Sequence, residues 1–230
     1  MFYPTFGAIP ESVLQASIPL IVPVFNQLFY LKNTIAQMDR FNLNNIIILD
    51  NGSTYPPLLE WYETTNLPVV CYPENPGPQD FFYLKDIWDN LPSYFFVSDP
   101  DMGFPEAVPT TLVEDMIAWS EKKKWKKIGL ALDLSEKTKL VSTINIHEPD
   151  YWKKILDTTD NGDPIYQALT DTTFSFYNKK YFDNEFYSAP RMAGRYTCKH
   201  HGWYHNKPEP KEEEDYYQQR QKFSSTINRS

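Results

Sequence analysis

Residues 94–104 read YFFVSDPDMGF, and the fold turns on how this stretch is understood. Tyr94 to Ser98 have the aromatic and β-branched character of a buried strand. At its end stand Asp99 and Asp101, separated only by Pro100. Two carboxylates beside apolar walls repel one another and resist burial unless a positive group lies between them. The simplest such partner is a divalent cation. The competing reading is a β-turn with Pro100 at its second position and no ligand at all.

Upstream, IPLIVPVF (18–25) is an unbroken apolar strand, followed by Leu28, Leu31, Ile35 and Met38 at helical spacing, with Asn26 suited to cap that helix. NNIIILD (44–50) predicts a second buried strand, NGST a turn, Pro56 the opening of a short helix through LLEWYE, and LPVVCY (67–72) a third strand. PENPGP is a loop, and DFFYLKDIWDNL a weak helix before the strand that ends at Asp99. Strands without polar alternation, separated by helices, predict an α/β fold with a mixed, mainly parallel sheet and helices on both faces. In such sheets ligands bind beyond the carboxyl ends of the strands. Pro23 to Asn26, Asp50 to Ser53 and Asp99 to Asp101 are therefore expected to meet in one cleft.

Downstream, the pattern predicts a helix around 109–123, a strand over KKIGLALDL (126–134) and a bent strand over DPIYQALTDTTFSFYN (163–178). From Lys207 onward the chain is so polar that it is expected to be disordered, or ordered only when a ligand is bound. With no internal repeat and no Gly/Ser linker, a single compact domain is expected.

Composition narrows the function. The chain has 230 residues, 41% of them hydrophobic and 16% aromatic, enough for a sizeable core. Its formal charge is −8, and without a basic stripe no nucleic-acid ligand is expected. The lysine run EKKKWKK (121–127) reads as a solvated helix end. Cys71 and Cys198 lie far apart without CxxC spacing, so free thiols are expected. IPLIVPVF is too short to span a bilayer and follows no basic leader, so no transmembrane segment and a cytoplasmic location are expected.

The succession VPVFN, LDNGST and SDPD, followed by TDTTFSFY (170–177) and RMAGRYTCKHHGWY (191–204), resembles GT-A fold glycosyltransferases, most nearly the family 2 type of bacteria. The similarity spans roughly 18–204. It implies a glycosyltransferase domain over 1–204, with a nucleotide-binding half at about 18–104, an acceptor half at about 105–204, and a polar tail over 205–230. The implied reaction is metal-dependent transfer of a hexosyl group from a nucleotide diphosphate donor, a UDP-sugar being favoured, to a hydroxyl of a glycan or glycolipid acceptor. Polysaccharide biosynthesis is the setting the resemblance suggests.

By the same resemblance, Pro23, Val24, Phe25 and Asn26 would form the floor for base and ribose. Asp50 and Asn51 stand where the family usually has two aspartates. The second of these commonly bonds a uracil, and Asn51 can donate as well as accept. Asp101 would ligate Mn²⁺ or Mg²⁺ directly, and Asp99 would reach the ribose or bind the metal through water. His200 would be the third ligand, with His201 as the neighbour that could substitute. Asp171 is the candidate general base, or else a strand-start aspartate bonded to backbone. His147, Glu148, Asp150 and Trp152 form a carboxylate and aromatic set suited to a sugar. In the tail, residues from Lys207 to Tyr217 would order over the donor, with Lys207 or Lys211 near the diphosphate and Glu212 to Asp215 facing away.

Two other functions compete. A nucleotidyltransferase needs a Gly-rich phosphate loop after the first strand, and PVFNQLFYLKN has no glycine. A non-catalytic nucleotide-sugar- or carbohydrate-binding module on the same fold is the alternative that donor turnover would exclude.

Overall fold

Successive residues of a strand face opposite ways, so a strand apolar in both phases is buried only between two layers of cover. The computed structural model describes residues 17–73, 75, 77–79, 82, 85–140 and 148–221, the side chains of Asp86, Lys137, Glu148 and Pro149 excepted. It places β1 (Leu20–Val24) between β2 (Ile46–Asp50) and β4 (Tyr94–Val97), with β3 (Val69–Cys71) outside β2, and all four are parallel.

The sheet continues through β6 (Lys127–Leu130), β7 (Ile155–Thr158), β8 (Pro164–Tyr166), β9 (Ser175–Asn178) and β10 (Arg191–Met192). Its nine strands lie in the order β3-β2-β1-β4-β9-β6-β10-β8-β7. Only β9 and β8 run against the rest. The expected mixed, mainly parallel α/β sheet is present, and the stretch predicted as one bent strand is two, β8 and β9.

The two phases of each strand feed separate cores. Leu20, Val22, Ile48 and Phe96 pack with helices α1 (Phe29–Met38), α2 (Pro56–Thr64) and α4 (Leu112–Lys123) on one face. Ile21, Ile47, Phe95 and Val97 pack on the other face with Ile87 of the short α3 (Lys85–Trp88) and with Trp88 and Phe182. Helices therefore cover both faces. Among the described residues, no helix is long and apolar enough to cross a membrane.

Three local expectations are corrected. Asn26 does not cap α1; it sits at φ 54°, and its side-chain oxygen accepts the N–H groups of Thr54 and Tyr55 at 2.7 and 2.9 Å. The loops after β1 and β2 are thereby tied together. The lysine run is only partly solvated: α4 ends at Lys123 and Lys124 caps it at φ 56°, but Lys127 is fully buried as the first residue of β6.

The tail is not disordered through Gln221. It forms helix α5 (Lys211–Arg220), and the buried Glu213 carboxylate accepts the N–H groups of Leu28 and Phe29 at 2.7 and 2.8 Å. An acidic side chain thus caps α1 from across the chain, where unpaired N–H groups and the helix dipole favour negative charge.

Candidate metal centre

The chain leaves β4 at Val97 and turns through Asp99-Pro100-Asp101 into β5 (Met102–Gly103). β5 pairs antiparallel with β11 (Lys199–His200), in a register that sets His200 opposite Met102. This two-stranded ribbon brings the histidine to the carboxylates. Asp99, Asp101 and His200 each present a ligand atom, all within 4.8 Å of one another. His200 Nε2 lies 3.4 Å from Asp99 Oδ2 and 3.3 Å from Asp101 Oδ1. Neighbouring ligands of an octahedral cation with bonds of about 2.1 Å stand about 3 Å apart, so the spacing fits one ion. Two carboxylates with one imidazole are a donor set that could hold a divalent cation.

Backbone and glycines shape the centre. The Gly202 N–H donates to Asp101 Oδ2 at 2.8 Å, and the His201 N–H to the Asp101 carbonyl at 2.9 Å. A Cβ on Gly202 would stand 2.6 Å from Asp101 Oδ2, and one on Gly103 2.7 Å from His201 Nε2. Neither position tolerates a side chain unless its neighbour shifts. His200 packs edge-on against Trp203, with ring centroids 5.2 Å apart. His201 instead stacks on Tyr30 at 5.2 Å and lies outside the ligand cluster. Burial alone would lower the His200 pKa, but Asp101 and Asp99 outweigh it and lift the imidazole to about 9. Burial raises the Asp99 carboxyl, with His200 pulling the other way, and burial pushes the His201 imidazole down.

The other predicted residues surround this centre unequally. Val24 ends β1, and the Asn51 N–H donates to the Val24 carbonyl at 2.8 Å, so the β1 and β2 exits are adjacent. Asn51 Nδ2 reaches the Gly77 carbonyl at 3.4 Å. Asp50 is buried with both oxygens engaged, one by the Ser53 N–H at 2.9 Å and the other by the Tyr62 hydroxyl at 2.9 Å. Its carboxylate supports the loop from beneath. Pro23 is buried within β1, and Phe25 meets the Tyr217 ring of α5 at 6.4 Å. Asp171 accepts the Thr173 N–H at 3.1 Å, on the stretch that enters β9 alongside the β4 exit. The backbone bond expected of a strand-start aspartate is therefore present.

In the sugar-contact set, His147 and the Glu148 side chain lie outside the described residues. Asp150 is exposed and pairs with Lys153. Trp152 meets Tyr166 edge-on at 5.4 Å and lies near the Arg191 guanidinium, which also reaches Thr170 beside Asp171.

The tail departs from expectation in charge as well as order. Glu213 faces inward, whereas Glu212 and Asp215 are exposed. Lys211 is exposed and pairs with Asp215 at 2.9 Å. Lys207 is largely buried, 3.6 Å from Glu209 and 3.8 Å from Glu214. Burial lifts the Glu209 carboxyl to about 7. Gly202, Gly103 and Glu213 were not legible as site residues, although a glycine at the end of β5 and another two residues beyond β11 are signals of close backbone approach.

No protein-family model matches the sequence, and no curated protein does. Among solved structures, the crystal structure of S. aureus TarS 1-349 is similar at a TM-score of 0.42 and 12% identity, covering 71% of this chain. This chain spans 47% of that TarS chain.

Proposed function

We propose that this chain is a metal-dependent glycosyltransferase moving a sugar, of hexosyl type, from a nucleotide diphosphate donor, with a UDP-sugar favoured, to a hydroxyl of a glycan or glycolipid. The observation that carries this reading is the Asp99, Asp101 and His200 cluster at the carboxyl end of the central parallel strands, where α/β sheets bind nucleotides. A cation held there would neutralise the diphosphate as it departs.

The chain's own residues supply the rest. The β1 and β2 exits, Pro23 to Asn26 with Asn51, would form the side of the site on which the nucleoside lies. Asp50 acts beneath them by bracing the loop. In a direct displacement the acceptor oxygen bonds to the anomeric carbon while that carbon's bond to the diphosphate oxygen breaks, its electron pair leaving with the nucleotide. Asp171 takes the acceptor proton, and its place on the stretch that enters β9 alongside the β4 exit supports that role.

A panel of nucleotide sugars, assayed for nucleotide diphosphate release with Mn²⁺, with Mg²⁺ and with chelator, tests the proposal. Metal-dependent release from at least one donor is expected. Nucleotide binding without any release would leave a non-catalytic module, and release undiminished by chelator would remove the metal.

A further inference from the structure

Lys127 is fully buried at the start of β6, although its lysine-rich context assigns it to solvent. Its Nζ donates to the carbonyl oxygens of Thr170 at 2.6 Å, Asp171 at 2.7 Å and Phe186 at 3.3 Å. Three acceptors match the three N–H bonds of an ammonium group. The Phe186 and Tyr177 rings lie 4.0 and 4.8 Å from the same nitrogen, closing it off with aromatic faces. A buried cation is costly unless fully paired, and here two of its three partners are backbone atoms of one turn.

Two further residues hold that turn. Arg191, buried in β10, brings Nε to 3.4 Å from Thr170 Oγ1. Gly129, on the same face of β6 as Lys127, lies so close to Thr170 that a Cβ there would stand 2.5 Å from Cγ2 and 3.1 Å from Oγ1. β9 runs antiparallel to β4 with Ser175 opposite Val97, so the turn so held enters β9 alongside the stretch that leaves β4 for Asp99.

We propose that Lys127 is a positioning residue: its buried Nζ clamps the Thr170–Asp171 backbone and so fixes where Asp171 stands beside the β4 exit. In giving Asp171 a proton to accept, this rests on the transferase reading; the clamp itself does not. Lys127 touches neither donor nor acceptor, and it acts only through the turn. Burial pushes its pKa down to about 7, with Asp171 pulling the other way.

The test is hydrogen exchange read by mass spectrometry on the full chain, together with steady-state donor turnover, for Lys127→Met and Gly129→Ala. The second variant pushes on the same turn without touching the charge, and it decides the matter if Lys127→Met fails to fold. Exchange should rise by about fivefold or more in peptides spanning 168–176 while peptides over 94–104 and 196–204 keep their protection. The turnover number should fall by about tenfold or more with donor KM within about twofold, since a misplaced base affects the chemical step and not donor binding. Wild-type exchange over 168–176 in both folded variants, or a rise spread evenly across the sheet, would overturn the clamp. If the wild-type chain turns over no nucleotide sugar, the transferase reading fails while the exchange pattern still decides whether Lys127 holds the turn.

Discussion

The Gly202 N–H donates to Asp101 Oδ2 at 2.8 Å although 101 positions separate the two residues in the chain. The other oxygen of Asp101 faces His200 Nε2 at 3.3 Å. One carboxylate is thus fixed by backbone on one side and turned toward the imidazole on the other. Orientation of the candidate metal ligand depends on the 199–203 segment as much as on the β4 exit.

Asp101→Ala is expected to weaken Mn²⁺ affinity by at least about a hundredfold and to abolish donor turnover, while the chain still folds because no core cavity opens and only the Gly202 N–H and His200 lose a partner. Gly202→Ala, which forces a Cβ against Asp101 Oδ2, should weaken affinity by about tenfold. Metal titration followed by electron paramagnetic resonance reads both. Wild-type affinity in Asp101→Ala would remove the centre.

Metal affinity should depend on pH through His200. Its pKa in the metal-free fold is about 9, above the ordinary 6.5, so the charged imidazole stabilises that fold fully below pH 6.5 and the contribution is lost as pH rises through 9. A bound cation must displace this proton. Affinity is therefore expected to climb about tenfold per pH unit until the imidazole is neutral. Calorimetric titration across that window should show the slope in the wild type and in His201→Ala, and a flat profile in His200→Ala. The same slope in both histidine variants would exclude His200 as a ligand.

Removal of the Glu213 carboxylate should loosen the tail. Glu213→Ala leaves the Leu28 and Phe29 N–H groups without their acceptor and is expected to cost about 1–2 kcal/mol in urea unfolding. Glu213→Gln keeps an acceptor oxygen and should cost less. Burial raises the Glu213 pKa above 4.5, the two N–H bonds pulling the other way, so wild-type stability relative to Glu213→Gln should fall as pH rises from 4.5 through the folded value. An unchanged denaturation midpoint in Glu213→Ala would show that the cap does not hold α5.

Lys127 carries the opposite linkage. Its folded pKa, about 7, lies below the ordinary 10.5, so between these values the unfolded chain binds a proton that the folded chain does not. Stability relative to Lys127→Met is therefore expected to increase from pH 7 toward pH 10.5 and to diminish as pH falls through 7. Paired denaturation curves across that range check the sign. A constant difference would mean that the group does not titrate in the window.

Local pattern determined a great deal. The unbroken apolar runs around Ile21, Ile47 and Phe96 have no polar phase to turn toward water, so burial on both faces followed from composition alone, and parallel order followed from the helices between them. The same reasoning put Asp99 and Asp101 at a strand end, because charge cannot continue a buried run. What local pattern could not determine is partnership across the chain. Whether Lys127 is solvated or buried depends on carbonyl oxygens more than 40 positions away. Whether Glu213 repels or caps depends on the N–H groups of α1, and whether Asp50 meets a ligand or its own loop depends on Ser53 and Tyr62. Charged groups have no fixed place until tertiary structure supplies the counterpart that offsets their desolvation, whereas an apolar side chain needs only to leave water.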